Sequence, residues 1–579
     1  MATETAKANK GPYKVYYADL GGGRNTRKDS HALARNELAA SINTWMFAGH
    51  TVGKRPGSTP AISTTGATGS GAPCKGMATA RFGNVTSVIE QSNNALYTAR
   101  PGVDTTYTNI GSIGSSANPI AVAQMYDPVL AANAAFIVDG VDVPKTWKGP
   151  GNSIATVGAA PLNHSGSAMI TPTCVATLNN SLWYAGEPTE PTAVYVSDPN
   201  TPESFTFGGQ LPGASYMAYF VGYNDGIAGG NITQIMPLGN AMIVYKQSAI
   251  YSFQYVGYYG DVGPWAIVLL SGTVGTNSPQ SVVSFDTFHC FLGIDGVYAV
   301  DLNGLRKVSE GSDKARPLSD NNPDLFDGPM AAILNRTNAV GVRYGSKYLL
   351  FYDNGGVLIP QQPNIAAPLG YPNAGVWFDF LFKDADGLPC CGEIRNMPVA
   401  GVAPLRGPAD TGNFIWGSGA TDRLGLFGSQ IGDFAQPIGT IISGKSDFFK
   451  EELGDSSPDS VKTCDNVALA ISLVNPVINE TLNFLFAITA NYAQTFDSTA
   501  TTIPSPVFQG TGNVVGSAVV GTAVIGGGGG NQAFQITRGY AQNNARGNVL
   551  QVSFQESSIY PWNTLGYIIN VSSQEAIIA

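Results

Sequence analysis

Phe288-His-Cys-Phe-Leu-Gly-Ile-Asp-Gly-Val-Tyr-Ala-Val-Asp-Leu302 is two β-forming runs joined by Asp295-Gly296. Val, Ile, Tyr and Phe fit a pleated, half-buried surface, and an Asp-Gly pair supplies the positive φ angles of a tight hairpin turn. The same unit recurs upstream as SVIEQSNNALYTAR (87–100), AAFIVDGVDVPKTW (134–147), SLWYAGEPTEPTAVYVS (181–197) and MIVYKQSAIYSFQYV (242–256). Downstream it recurs as YLLFYDNGGVL (348–358) and NFIWGSGATDRLGLF (413–427). With turn centres at Asn94, Asp139, Glu187, Gln247, Asp295, Asn354 and Gly419, the spacings are 45, 48, 60, 48, 59 and 65 residues.

Propeller blades recur every ~40 to 50 residues, so the short intervals hold one blade and the long ones a blade with an inserted loop. The expected fold is therefore all-β: a β-propeller of about six or seven blades over residues 60–440. A pair of β-sandwiches is the other architecture made of hairpins, but regular spacing is the mark of a propeller. Residues 1–35, polar, basic and punctuated by Gly21, Gly22 and Gly23, read as an extended arm ordered by its partners, and 1–59 as a whole, arm and short helix, as an anchoring segment. Residues 441–579 carry longer strands (VALAISLV, TLNFLFAITA, NVLQVSFQ, GYIINVSS) around a glycine run, Gly526 to Gly530, and read as a sandwich-like C-terminal domain or as strands closing the outer face of the propeller. One helix is expected, over residues 29–45, because Leu33, Leu38 and Ile42 share a helical face and Asp29 or Ser30 can cap it.

Composition narrows the function. The 579 residues carry a net charge of -10, and only 12% are Asp, Glu, Lys or Arg, about half the usual share. The 70 glycines fit a fold of many turns. No stretch reaches the roughly 18 apolar residues of a membrane-spanning helix, and MATETAKANKGPYK lacks the apolar core of a signal peptide; synthesis and assembly in a cytoplasm are expected. Residues 1–60 hold nine Lys or Arg against four Asp or Glu, leaving the remainder at -15. An acidic body disfavours tight DNA binding, which Lys and Arg drive by counterion release.

Motifs of chemistry are sparse. Cys74, Cys174, Cys290, Cys390, Cys391 and Cys464 form no CxxC pair and read as buried reduced thiols. His31, His50, His164 and His289 show no metal-ligand spacing. Gly439-Thr-Ile-Ile-Ser-Gly444-Lys445-Ser446 fits the P-loop letters, but no strand-helix alternation surrounds it, so it reads as a coincidence within a β-domain. Lys383-Asp-Ala-Asp-Gly387 starts like a calcium loop and lacks the later oxygen ligands. Trp183, Tyr184, Trp377 and Trp416 have the chemistry to stack on sugars, but their hairpin positions suit blade cores. No catalytic residue, metal or cofactor is expected.

Beyond chemistry, a series of segments in order carries a family resemblance. Asn36-Glu37-Leu38, Ile42-Asn43-Thr44-Trp45 and Gly53-Lys54-Arg55-Pro56-Gly57 open it. Leu182-Trp183-Tyr184 with Val194-Tyr195-Val196-Ser197, and Phe291 to Tyr298 with Lys307-Val308-Ser309, continue it. Arg546 to Val552 and Pro561-Trp562 close it. Together these resemble the tail nozzle proteins of short-tailed bacteriophages, also called tail tubular protein B or phage stabilisation proteins. The basic arm and the Gly526 to Gly530 run lie outside that pattern.

The resemblance implies a structural protein of the virion tail: a homohexameric ring below the portal and adaptor, neighbouring tail fibres or tailspikes, through which DNA is retained and then ejected. It implies no enzymatic activity and no sequence-specific DNA contact. Few cations and many neutral polar groups would give passing phosphates little to stick to. Asn36, Glu37, Leu38, Lys54, Arg55, Pro56 and Gly57 are the expected assembly interface, with Lys54 and Arg55 pairing with partner carboxylates. Loops 206–231 and 355–375 are the candidates for gating the channel. The reading from another class is a propeller lectin or glycosidase acting on surface polysaccharide.

Overall fold

The computed structural model describes residues 74–308 apart from 101–102, 115–117, 129, 164–167, 206–217, 223–228 and 258–263. Outside that stretch it describes 13–17, 20, 23–24, 32–33, 37–42, 44–46, 52–54, 57–60, 339–344, 347–351, 356–358, 379–381, 403–406, 413–419, 439–443, 461–473, 481–490, 494–504, 534–539, 545–547, 550–556 and 562–574. These residues form an all-β propeller flanked by two large sheets, and their only helical element is a short 3-10 turn at Pro279–Ser281.

Five four-stranded antiparallel meanders follow one another. Blade 1 is Cys74–Phe82, Val85–Ser92, Ala95–Ala99 and Thr108–Ser112. Blade 2 is Ala121–Asp127, Ala132–Val138, Lys145–Trp147 and Ala155–Thr156. Blade 3 is Cys174–Leu178, Ser181–Glu187, Glu190–Val196 and Ala218–Phe220. Blade 4 is Ile232–Leu238, Ala241–Lys246, Ile250–Tyr255 and Trp265–Ser271. Blade 5 is Val283–Ser284, His289–Leu292, Val297–Asp301 and Gly304–Lys307. A sixth meander, Val340–Tyr344, Lys347–Phe351, Gly356–Leu358 and Asp379–Leu381, forms blade 6. The first strand of each blade touches the first strand of the next, on to Ala403–Arg406 in blade 7. These are the inner strands of the propeller, and the hairpins read from the sequence are its second and third strands.

Both faces of a blade are covered by other blades, so second strands are apolar at consecutive positions rather than alternate ones. In Ser181–Glu187, Leu182 and Tyr184 pack toward blade 2 while Trp183 and Ala185 pack toward blade 4. In Ala241–Lys246, Met242 and Val244 join the core shared with blade 3, and Ile243 and Tyr245 the core shared with blade 5. Cys290 and Leu292 face blade 6, whereas Phe291 faces blade 4. Five such seams join blades 1 to 6. The blade 3–4 seam centres on Trp183, which meets Phe253 and Trp265 edge-on at 5.5 and 4.8 Å. Contacts of this kind add about 1 kcal/mol each beyond the area they bury.

Polar groups fix the connectors into blades 2, 3 and 5 between the second-to-third turns of adjacent blades. Entering blade 2, Ile120 N–H donates to Gln91 Oε1 at 2.9 Å and Gln91 Nε2 donates to Asn118 O at 2.7 Å; Asn118 Nδ2 in turn donates to Asp139 O at 3.3 Å. Entering blade 3, Pro172 O accepts from Gly140 N and Thr171 N donates to Glu187 Oε2 at 2.5 Å. Entering blade 5, Thr276 N donates to Lys246 O and Thr276 Oγ1 donates to Leu292 O at 2.7 Å. Buried backbone groups that leave one sheet thus find partners on the way to the next.

The two large sheets combine both ends of the chain. One pairs Val461–Leu473 with Trp562–Gln574 and adds Tyr13–Tyr17, Thr44–Met46, Val52–Lys54, Phe534–Gly539 and Ala545–Gly547. The other extends the outer strand of blade 6 through Glu37–Ile42, Gly439–Ser443, Leu550–Glu556, Thr481–Ala490 and Gln494–Pro504, with Gly23–Arg24 beside Glu37–Ile42. The helix expected over 29–45 is corrected here, since Glu37–Ile42 and Thr44–Met46 are strands. Leu38, Ala40 and Ile42 also satisfy a period of two, and pairing with Gly439–Ser443 outweighs the weak propensity of a short helix. The described parts of the arm are likewise paired strands of these sheets rather than an arm standing apart.

Glycine at position 186 has φ +73°, and a Cβ there would run into the Thr173 side chain of the connector. Gly83 has φ +61° with open space around it. Gly83→Ala is expected to cost about 1 kcal/mol from backbone strain alone. Gly186→Ala is expected to cost about twice that or more, as read from denaturant unfolding midpoints of the two variants.

Candidate functional site: closure of the ring and joining of the chain ends

Blade 7 is assembled from distant parts of the chain. Ala403–Arg406 pairs with Asn413–Gly419, whose other edge is taken by Gly57–Pro60 from the N-terminal segment. Phe414 lies opposite Pro60, Ile415 opposite Thr59 and Trp416 opposite Ser58. The hairpin read over 413–427 is therefore corrected: both edges of Asn413–Gly419 are occupied, and the third strand comes from the start of the propeller. The last blade is thereby bonded to the segment that leads into the first.

The expected interface residues are distributed over three sheets. Glu37 pairs with Gly23, and Leu38, fully buried, lies opposite Ser443. Lys54 lies opposite Thr44 in the sheet that holds the C-terminal strand, and the buried Val52 lies opposite Thr564. Gly57 lies opposite Gly419 in blade 7. Asn36, Arg55 and Pro56 fall outside the described residues. Within some twenty residues, this segment thus enters a large sheet, crosses to the second, and closes the propeller.

Side chains reinforce the junction of the termini. Tyr17 lies opposite Tyr567, and their rings stack at 4.6 Å with 11° between planes. Thr564 is buried and turns the C-terminal strand at a register shift, its Oγ1 donating to Gly566 O at 3.0 Å. These are fastening interactions. The aromatic stack and the paired strands favour one arrangement of the two ends, and they offer no group poised for proton transfer.

The remaining candidates resolve into structural roles or fall outside the described residues. Gly439–Ser443 is an antiparallel strand between Glu37–Ile42 and Leu550–Glu556, so the backbone that a P-loop would wrap around phosphate is committed to two ladders; Gly444, Lys445 and Ser446 are not described. Trp183 and Tyr184 are wholly buried in seams and present no face to a sugar. Cys174 and Cys290 are buried free thiols, and burial pushes Cys174 up to about 11, leaving it unreactive at neutral pH. Of the histidines only His289 is described, buried between blades 4 and 5. Among the described residues no group of three His, Cys, Asp or Glu is placed to hold a metal ion. Lys383 to Gly387, Trp377, the Gly526 to Gly530 run and most of loops 206–231 and 355–375 lie outside the described residues.

The joining of the ends was missed from the sequence because strand pairing over several hundred residues leaves no local signature. One signal was available: the interval before Gly419 is the longest, and the stretch just after it, ATDRLGLF, carries two charges and weak alternation.

No protein-family profile matches the chain, and no curated protein does. Among solved structures it is similar to BBS1N, from a crystal structure of BBS1N in complex with ARL6DN, at 10% identity and a TM-score of 0.37 over 62% of this chain and 97% of that one. It is similar to the extracellular domain of the putative one-component system BT4673 from B. thetaiotaomicron at 12% identity and a TM-score of 0.39, covering 82% of this chain and 59% of that one. BamB from Moraxella catarrhalis matches at 9% identity and a TM-score of 0.32 over 58% and 93%. The fold assignment rests on the strand order and on the five seams.

Deleting residues 1–60 removes the third strand of blade 7 and the partners of the C-terminal strands. The truncated chain is expected to lose its cooperative unfolding transition or to aggregate through the uncovered edge of Asn413–Gly419. Scanning calorimetry and light scattering check this, and a truncated chain that unfolds at the full-length temperature contradicts the closure.

Proposed function

We propose that this chain is a structural component of a bacteriophage tail, a nozzle subunit that assembles as a homo-oligomer, and that it performs no catalysis. One observation supports the reading most. Segments that resemble the nozzle family lie at joints of this fold. Leu182, Trp183 and Tyr184 fill two seams, Phe291 to Tyr298 cross the blade 5 turn, Glu37–Ile42 and Val52–Lys54 pair with strands from the other end of the chain, and Gly57 begins the third strand of blade 7. Leu550 and Val552, near the end of the resembling series, are buried in the large sheet that holds Leu38. A tube wall must resist internal pressure and transmit load, and a chain with both ends bonded into its body is suited to that duty.

In this reading the subunits form a hexameric ring below the portal and adaptor, beside tail fibres or tailspikes. On the same reading DNA passes a wall poor in cations, in keeping with the net charge of -15 carried by residues 61–579. Lys54 and Arg55 supply charge for anchoring to a neighbour or the adaptor.

The test is the assembly state. The purified chain, alone or mixed with its virion neighbours, is expected to give rings of about six copies with a central channel in negative-stain images. Lys54→Glu with Arg55→Glu is expected to weaken ring formation without lowering the unfolding temperature of the subunit. A monomer that binds or cleaves surface polysaccharide, or a ring indifferent to the double substitution, overturns the corresponding part of the proposal.

A further inference from the structure

The seam between blades 4 and 5 contains a polar junction built on a histidine. His289 is fully buried on the second strand of blade 5. Its Nε2 lies 3.0 Å from Pro237 O on the inner strand of blade 4, and its Nδ1 lies 2.9 Å from the hydroxyl of Tyr245, also fully buried, on the second strand of blade 4. A carbonyl oxygen cannot donate, so Nε2 carries the proton and donates to Pro237 O. Nδ1 then accepts from the Tyr245 hydroxyl. The ring is thus neutral, in a defined tautomer, and both of its nitrogens are spent on the neighbouring blade.

We propose that this seam is an acid-sensitive joint: uptake of a proton by His289 separates blades 4 and 5 before the other seams give way. A proton on Nδ1 turns that atom from acceptor to donor. The Tyr245 hydroxyl would then have to accept, directing its own proton into apolar surroundings, and the imidazolium would sit in a dry core without a counterion.

The groups facing the junction offer no relief. Blade 4 contributes Tyr245, Met236, Leu238 and, from its outer strand, Leu270; the connector contributes Val282. Blade 5 contributes Tyr298, whose hydroxyl is turned to Asp295 Oδ1 at 2.6 Å. Lys246 follows Tyr245 on the opposite face of its strand, with its ammonium donating to Val221 O and lying over the Tyr251 ring. Cys290 faces blade 6. Beside the phenols of Tyr245 and Tyr298, the Cys290 thiol and the buried Tyr348 phenol of blade 6 lie close enough to Tyr245 to interact with it electrostatically; burial raises both above their ordinary values, so neither supplies a negative charge to an imidazolium.

The direction of the pH effect follows from this environment. Burial holds the His289 imidazole at about 4, against an ordinary 6.5. Above about pH 6.5 the closed and opened seams are both neutral at this site and the junction contributes fully. As the pH falls from 6.5 toward 4, the opened seam binds a proton that the closed one refuses, so closure weakens throughout that window. From pH 7 to pH 4 the open-to-closed ratio should rise by about two orders of magnitude. The effect is local because each blade is held by its own neighbours, so one seam can part while others persist.

Hydrogen exchange of the full-length protein, read by mass spectrometry at a series of pH values and corrected for intrinsic exchange, tests this. Peptides spanning 235–245 and 289–300 are expected to lose protection by about that factor between pH 7 and 4, while peptides spanning 182–196, in the blade 3–4 seam, keep theirs. His289→Gln, which can still donate to Pro237 O and accept from Tyr245, is expected to flatten the profile. Simultaneous loss of protection in both seams, constant protection of the blade 4–5 seam down to pH 4, or a wild-type profile in His289→Gln overturns the proposal. The wild-type comparison decides alone if the variant does not fold.

Discussion

Each blade of this propeller has two faces to cover and mostly its neighbours to cover them with. That constraint explains why Ser181–Glu187 is buried at every position and why successive residues of one strand belong to different cores. Burying a large aromatic or aliphatic side chain contributes about 2 kcal/mol, and each seam gathers several. The cost is that sheet ends and connectors are also drawn inside, where backbone groups need partners. Gln91 on the blade being left, Glu187 on the blade being entered and Thr276 on the connector itself answer that need. Close approach at those points also dictates small residues: a Cβ on Gly186 or Gly275 would run into Thr173 or the backbone of Lys246.

A stack of sheets with two buried faces per member has no natural end. Here the row is completed by Gly57–Pro60, bonded to Asn413–Gly419 across more than three hundred residues of sequence. The two large sheets repeat the device, since Tyr13–Tyr17 and Val52–Lys54 lie against Trp562–Gln574, and Glu37–Ile42 lies against Gly439–Ser443. Folding of the ends is therefore coupled to closure of the propeller, which suits a chain whose proposed duty is mechanical.

The blades were legible in the sequence because their information is local. A turn such as Asp139-Gly140 announces itself through residue type, and Gly140 does adopt φ +77°. The six intervals between turns were enough to separate a propeller from paired sandwiches. The segment 29–45 was not legible, because Leu38 and Ile42 satisfy both a helical and an alternating period, and the deciding partner lies four hundred residues away. For the same reason the residues expected at an assembly interface could not be placed in the fold. Leu38 is an interior position, and Gly57 is a rung of a ladder whose other side is Gly419. The polar His289 junction was equally hidden, because an isolated histidine between β-forming residues carries no sign of the carbonyl and phenol it will meet.

Closure of the ring by the chain's own start is the claim on which the rest depends, and a high-resolution density map of the purified full-length protein addresses it directly. The third strand of blade 7 is expected to be Gly57–Pro60 of the same subunit, antiparallel to Asn413–Gly419, with Thr59 opposite Ile415. A third strand built from residues 421–427, or donated by a neighbouring subunit, would contradict it.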